Sequence, residues 1–321
     1  MLDLTLKQIE NASFVLYDKN PVIRSSFPDV VIADPSVLTP EFTPDGKWRL
    51  FAHSLKGVYM YVSDDGVRFS SGKKILSRAM RPCACKFGDA YYIYYERLQP
   101  LPARAAGMLG GKWTSEIYAV TSKDLKTFSH PVKVLEYDMP FEKAGKKGYS
   151  LSNPFVIKED DTFRLYYSAG LKFIPDCKFS EPEYVCLAES RDPLSGFKKR
   201  PEPIIYPDEN SEFFNMCCGC LKVYKLSDGY IGLQNGIYRA GGRSESAIQL
   251  LESDDGIKFR FVKTLLRPRK CGGSDWMAQF VYASHLIEYE NKLRLYFNAR
   301  NKAFILSGRE HIGFAEADIP E

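Results

Sequence analysis

No apolar run in the 321-residue sequence approaches the ~18–20 residues of a membrane span, and the start, Met1-Leu2-Asp3-Leu4-Thr5-Leu6-Lys7, lacks the basic and apolar regions of a secretory signal. These absences argue against a membrane partner and make the cytoplasm the expected setting. A large excess of one charge sign is also missing, with 44 Lys and Arg against 40 Asp and Glu. A dedicated nucleic-acid binder would need a concentrated basic face, so no nucleic-acid partner is expected. Tryptophan is scarce at three residues, whereas 20 Tyr and 21 Phe carry the 14% aromatic content, a loading that favours strands. Hydrophobic residues at 45% and charged residues at 26% match a soluble globular chain and exclude disordered or collagen-like structure. The eight cysteines, Cys83, Cys85, Cys177, Cys186, Cys217, Cys218, Cys220 and Cys271, lie mostly inside apolar runs and read as small buried thiols. A thiolate metal site built from Cys83-Ala84-Cys85 and Cys217-Cys218-Gly219-Cys220 is conceivable, but small residues also suit closely packed strands. No metal and no cofactor are expected.

What is present is a repeat. An apolar and aromatic run ends in a Ser/acid turn with a Phe a few residues later: Val58 to Val62 with Ser63-Asp64-Asp65-Gly66 and Phe69, then Ile117 to Thr121 with Ser122-Lys123-Asp124-Leu125 and Phe128. It returns as Tyr184 to Glu189 with Ser190-Arg191-Asp192-Pro193 and Phe197, as Ile248 to Glu252 with Ser253-Asp254-Asp255-Gly256 and Phe259, and truncated as Ile312 to Asp318. Ser63, Ser122, Ser190, Ser253 and Ala317 are separated by 59, 68, 63 and 64 residues. Before each block an apolar run, a polar turn and an aromatic-rich run form a hairpin pattern, the turns marked by Gly46, Gly88, Asp161, Gly229 and Asn291. Four strands repeated at a period of about 60 describe propeller blades. The expected fold is therefore all-β, a five-bladed β-propeller formed by residues 1–321 as a single domain. The fifth unit lacks an outer strand, and Phe14 to Ile23 fits that place, so an N-terminal strand is expected to complete the last blade and close the ring.

In such a ring the starts of inner strands, the ends of second strands and the starts of third strands share the mouth of a central funnel. Inner strands bring Asp34, Arg81, Asn153, the stretch from Glu212 to Cys218, and Asp275-Trp276. Second strands bring His53, Glu96, Arg97, Gln234, Asn235, Asn298 and Arg300, and third strands bring Glu116, Glu183, Glu245 and Glu310. Carboxylates for acid/base work, bidentate groups for hydroxyls and an aromatic face for a sugar ring are what a carbohydrate site needs. The Ser/acid turns fall on the opposite rim and read as turn chemistry, not as metal ligands. Residues Leu98 to Trp113 read as a long insertion overhanging the mouth.

Two stretches carry a family resemblance. Ala33-Asp34-Pro35-Ser36-Val37 before a hairpin, and Asn153-Pro154-Phe155-Val156-Ile157-Lys158-Glu159-Asp160-Asp161 before Arg164-Leu165-Tyr166-Tyr167, resemble the five-bladed propeller glycosidases of glycoside hydrolase family 43 and relatives in families 32, 68 and 130. The resemblance implies that Asp34 holds the position of the general base. It places Asn153 where the family has an Asp that tunes and orients, and Gly219 where the family has its acid, with Glu212 the nearest upstream carboxyl.

Three functions follow as expectations. The first is a glycoside hydrolase acting on an oligosaccharide or glycoside, with Asp34 as base or nucleophile and Glu212, Glu96 or Glu116 as proton donor. Arg81, Arg97, Asn153, Asn235, Asp275, Trp276 and Arg300 would then bind substrate, with Trp276 as stacking platform. The second is a phosphorylase or an enzyme for anionic sugars, because Arg78, Arg81, Arg97, Arg239, Arg243 and Arg300 map near the mouth and guanidiniums suit phosphate and carboxylate. The third is a non-catalytic glycan-binding propeller.

Overall fold

The computed structural model describes residues 2–26, 29–100, 103, 112–144, 148–270, 275–304 and 306–320. Cys271 and the greater part of the 98–113 insertion lie outside the described residues. Among the described residues, apart from a one-turn-and-a-half helix, Leu6–Asn11, capped by Thr5, and two short 3-10 turns, the named elements are β-strands.

The strands group as the repeat predicts, with neighbours in each unit antiparallel. The first unit is Ala33–Leu38, Trp48–Ser54, Gly57–Ser63 and Lys73–Leu76. The second is Ala79–Phe87, Ala90–Leu98, Thr114–Ser122 and Val132–Leu135. The third is Tyr149–Glu159, Thr162–Ala169, Tyr184–Ser190 and Lys198–Lys199, with an inserted hairpin, Lys172–Ile174 and Phe179–Glu181. The fourth is Cys217–Lys225, Tyr230–Ala240, Ile248–Ser253 and Arg260–Leu266, its long second strand also pairing with Arg243–Ser246. In the fifth, Phe280–Tyr289, Lys292–Arg300 and Glu310–Asp318 are joined by Val15–Leu16 from the N-terminal end. Only those two residues of the expected Phe14 to Ile23 segment form the strand. Val22 and Ile23 donate instead to the Ile312 carbonyl, and Asn20 exchanges side-chain hydrogen bonds with the Phe314 backbone.

The Ser/acid turns are built from their own side chains. Ser63 Oγ accepts from the amides of Asp65 and Gly66, and Asp65 Oδ1 accepts from Val67 and Arg68. Ser253 and Asp255 repeat this pattern, as do Ser122 and Asp124. Such Asx and Ser turns explain the residue types without any bound metal. The second-strand tyrosines then tie neighbouring units together: Tyr94 Oη donates to the Pro193 carbonyl at 2.6 Å, Tyr166 to Gly256 at 2.9 Å and Tyr296 to Gly66 at 2.7 Å. The last of these joins the fifth unit to the first. In these three tyrosines a buried ring packs in the core while its hydroxyl reaches the turn of the next unit.

Candidate active site

Every inner strand opens with a bulge. The register against the second strand slips between Ala33 and Ser36, Met80 and Cys83, Ser152 and Phe155, Cys217 and Cys220, and Tyr282 and Ser284. At each slip one residue takes a left-handed conformation: Asp34 (φ 55°), Arg81 (52°), Asn153 (49°), Gly219 (66°) and Ala283 (38°). A side chain there costs roughly 1–2 kcal/mol per residue, and such strain gathers where a side chain must be aimed. All five residues line one narrow pocket with about 50 Å³ of water-accessible space. Three of them precede a proline, Pro35, Pro82 and Pro154, which disfavours the helical region for the residue before it.

The last residues of the second strands hold these bulges in place. Asp34 N–H donates to Asn298 Oδ1 of the fifth unit at 3.0 Å, Arg81 N–H to His53 Nδ1 of the first at 3.3 Å, and Ala283 N–H to Asn235 Oδ1 of the fourth at 2.9 Å. Ser168 Oγ donates to the Gly219 carbonyl at 2.7 Å and accepts from Asn153 Nδ2 at 3.1 Å. Four of the five units thus position their neighbour's bulge through one side chain, whereas Asn153 of the third bonds within its own unit.

Three carboxyls line the pocket. Burial raises the pKa of Asp34, against the lowering influence of Arg81 and Lys222. Its Oδ2 lies 3.3 Å from Nδ1 of His53, whose ring burial holds neutral with a pKa of about 3. Glu310 is raised to about 7, first by burial, with Arg300 and a Tyr282 hydrogen bond opposing. Its Oε1 accepts from Tyr282 Oη at 2.5 Å and from Asn298 Nδ2 at 2.6 Å. Glu181 comes from the inserted hairpin of the third unit, beside Phe179, and burial raises it too. Two guanidiniums complete the lining. Arg81 pairs with Glu96, whereas Arg300 lies 3.8 Å from Glu310 and keeps Nε and Nη2 buried without an acceptor among the described residues.

Of the residues singled out from sequence, Asp34, Arg81, Asn153, Asn235 and Arg300 meet in this pocket. The others lie elsewhere. Glu96 is fully buried behind the lining, committed to Arg81, with Oε1 unpartnered. Glu212 is exposed and 3.3 Å from Arg267, because the chain before Cys217 runs outside the bulge it was expected to supply. Glu116 pairs with Lys133 at 3.3 Å, and Arg97 covers the Tyr118 ring at 5.1 Å; both point along the outer side of the second unit. Asp275 is exposed, and Trp276 is buried, stacked on Phe297 at 5.9 Å, because the fifth bulge falls at Ala283, eight residues further on than Asp275. Among the described residues no cluster of three or more His, Cys, Asp or Glu stands at metal-ligand spacing.

His53, Glu181, Glu310 and Tyr282 were not among the selected site residues. The repeat places His53, at a second-strand end, and Glu310, at a third-strand start, at the mouth, but neither was selected as catalytic or substrate-binding. Glu181 carries no such signal, since it arrives on an insertion absent from the other units.

No protein-family model and no curated protein matches the sequence. Solved structures do. The catalytic domain of the Coprinopsis cinerea GH62 alpha-L-arabinofuranosidase aligns over 95% of this chain and 97% of that one, with TM-score 0.67 and 15% identity. An N-acetylgalactosamine deacetylase from F. plautii, in complex with blood group B trisaccharide, aligns over 96% and 95%, with TM-score 0.65 and 14% identity. A structure from the GH130 family, described as mannoside phosphorylases that contain glycoside hydrolases targeting beta-1,2 mannosidic linkages in Candida mannan, aligns over 94% and 93%, with TM-score 0.62 and 15% identity. The chain has the β-propeller-like fold that these carbohydrate-active proteins share.

Proposed function

We propose that the protein is a carbohydrate-active enzyme that cleaves a glycosidic bond in the pocket around Asp34, on a single five-bladed propeller whose ring the N-terminal strand closes. The observation that carries this reading is the presence of two buried carboxyls, Asp34 and Glu310, in one pocket, both raised by burial, with Arg81 and Lys222 opposing the shift at Asp34. Glu310, near 7, is largely protonated at mildly acidic pH and can give its proton to the leaving oxygen. With Oε1 occupied by two donors, the proton resides on Oε2. Asp34, as carboxylate, either attacks the anomeric carbon or takes a proton from water that attacks it. Arg81 and Lys222 favour the ionised form that starts the reaction. Glu181 and Phe179, on the hairpin over the pocket, offer a hydroxyl acceptor and an apolar face to the sugar.

A second reading rests on Arg300. Two of its nitrogens, Nε and Nη2, are buried and have no acceptor among the described residues, which suits a phosphate nucleophile or a carboxylate on the sugar. The GH130 likeness, whose description covers both phosphorylases and hydrolases, is compatible with either.

The test is incubation with a panel of aryl glycosides and oligosaccharides, with and without phosphate. Release of the aglycone in water, lost in Asp34→Asn and in Glu310→Gln, supports hydrolysis. Turnover confined to phosphate-containing reactions transfers the assignment to phosphorolysis. Binding without turnover in either condition overturns both and leaves a glycan-binding propeller.

A further inference from the structure

Among the described residues, the hairpin of Lys172–Ile174 and Phe179–Glu181 forms a two-stranded sheet of its own that only the third unit carries. Facing residues of an antiparallel pair share a side, so Lys172 with Glu181 and Ile174 with Phe179 lie on one face, and Phe173 with Ser180 on the other. The first face is turned in: Ile174 is fully buried and Phe179 and Glu181 line the pocket, whereas Phe173 is 58% exposed. The turn between the strands is fastened to other units. Asp176 Oδ2 accepts from the Ser244 amide of the fourth unit at 2.7 Å, and Oδ1 from the Ser244 hydroxyl at 2.6 Å. Cys177 is fully buried in a cluster with Cys217, Ile237 and Phe280. Lys178 Nζ covers the Phe304 ring of the fifth unit at 5.2 Å, and Phe179 meets the Trp113 ring of the second edge-on at 6.5 Å. A hairpin that leaves the third unit and is held by the second, fourth and fifth crosses the mouth of the pocket instead of hanging beside it.

The pocket it covers keeps about 50 Å³ of water-accessible space. That is room for roughly four waters, the scale that one sugar ring with its hydroxyls replaces, and leaves no place for a second ring. Glu181 faces this space unengaged. Among the described residues its carboxyl has neither a hydrogen-bond donor nor an ion-pair partner, and its oxygens reach the open pocket. A desolvated carboxyl left without donors is costly, and sugar hydroxyls are donors that complete it through charge-assisted bonds. Resting on the cleavage reading above, we propose that the hairpin makes the enzyme exo-acting: one non-reducing terminal or branch sugar enters, Glu181 selects it by accepting from its hydroxyls, and the rest of the glycan stays outside. Asp34 and Glu310 belong to the enclosed lining, so the ring whose anomeric carbon they flank is the enclosed one and the leaving oxygen points to the mouth.

The test uses the full-length protein and gluco-, manno-, galacto-, xylo- and arabino-oligosaccharides, each with its non-reducing terminal sugar free or O-methylated, with products sized by chromatography. Wild type releases monosaccharide alone from the chains it accepts and leaves their methylated forms uncut. Glu181→Gln raises KM at least about tenfold with a smaller change in kcat, because the lost bonds are made to the bound sugar. Asp176→Ala, which touches no substrate, unfastens the hairpin and raises KM a few-fold in the same pattern. Short oligomers released from methylated chains, or an unchanged KM in Glu181→Gln, overturn the inference while leaving the cleavage reading intact. No turnover of any chain overturns the cleavage reading instead. Calorimetric binding then decides the enclosed terminal sugar: a free-end preference, weakened in Glu181→Gln, supports it, and equal binding of free and methylated chains overturns it.

Discussion

The backbone amide of Asp34 donates to Asn298 Oδ1 at 3.0 Å, while the other end of the same side chain donates to Glu310 at 2.6 Å. One residue of the fifth unit thus fixes both carboxyls assigned to the reaction. Asn298→Ala leaves a buried N–H and a buried carboxyl each short of a partner. The expected loss is about 2–4 kcal/mol of stability, with turnover falling further than stability accounts for. Denaturant unfolding beside kcat/KM measures the two, and an unchanged kcat/KM contradicts the positioning role.

Glu310 titrates near 7 in the folded protein against 4.5 for the free side chain. Between those values the native state retains a proton that the unfolded chain has lost, so this group's contribution to stability decreases as pH rises from about 4.5 through about 7 and is level above. Asp34, also raised by burial, acts in the same direction. Unfolding curves across this range in wild type and Glu310→Gln should show a shallower decline in the variant. The kcat/KM profile of the wild type should fall on the alkaline side with an apparent pKa near 7.

Gly219 occupies the place where the family resemblance puts an acid, yet its backbone forbids one. A Cβ built there would lie 1.6 Å from the Asn235 carbonyl oxygen, at a φ of 66°. Gly219→Ala is expected to cost more than about 3 kcal/mol, and Gly219→Glu to gain no activity. Folding yield and thermal midpoint decide this, and a stable, more active Gly219→Glu would refute it.

Arg81 and Glu96 form an ion pair in which Glu96 is fully buried and one of its oxygens has no other partner. Arg81→Met strands that carboxylate at a cost of about 3–5 kcal/mol, and adding Glu96→Met should recover most of the loss. A double-mutant cycle on unfolding free energies provides the measurement.

Glu212 sits in solvent beside Arg267 and away from the pocket. Glu212→Gln should leave both turnover and stability unchanged within about 0.5 kcal/mol. A loss of turnover comparable to that of Asp34→Asn would restore Glu212 as the acid.

The sequence by itself determined the strand units, because their cause is local and repeated. Period-2 aromatic runs set the second strands, Ser and Asp side chains bonding to amides two and three residues on set the turns, and the same chemistry recurs in four copies. Asp34, Arg81 and Asn153 were legible because the repeat brings the starts of inner strands to the mouth of the funnel. Asn235 and Arg300 followed from their place at second-strand ends. What the repeat could not assign was the fourth and fifth bulges, and so Glu212, Asp275 and Trp276 were placed at the mouth although the chain turns inward only at Gly219 and Ala283. Only the tertiary structure decided which carboxyls share the pocket. Glu310 is raised by burial among Tyr282, Asn298 and Arg300, and Glu181 is delivered by a hairpin of a different unit. Desolvation and convergence depend on groups far apart in the chain, and no local pattern of residues encodes them.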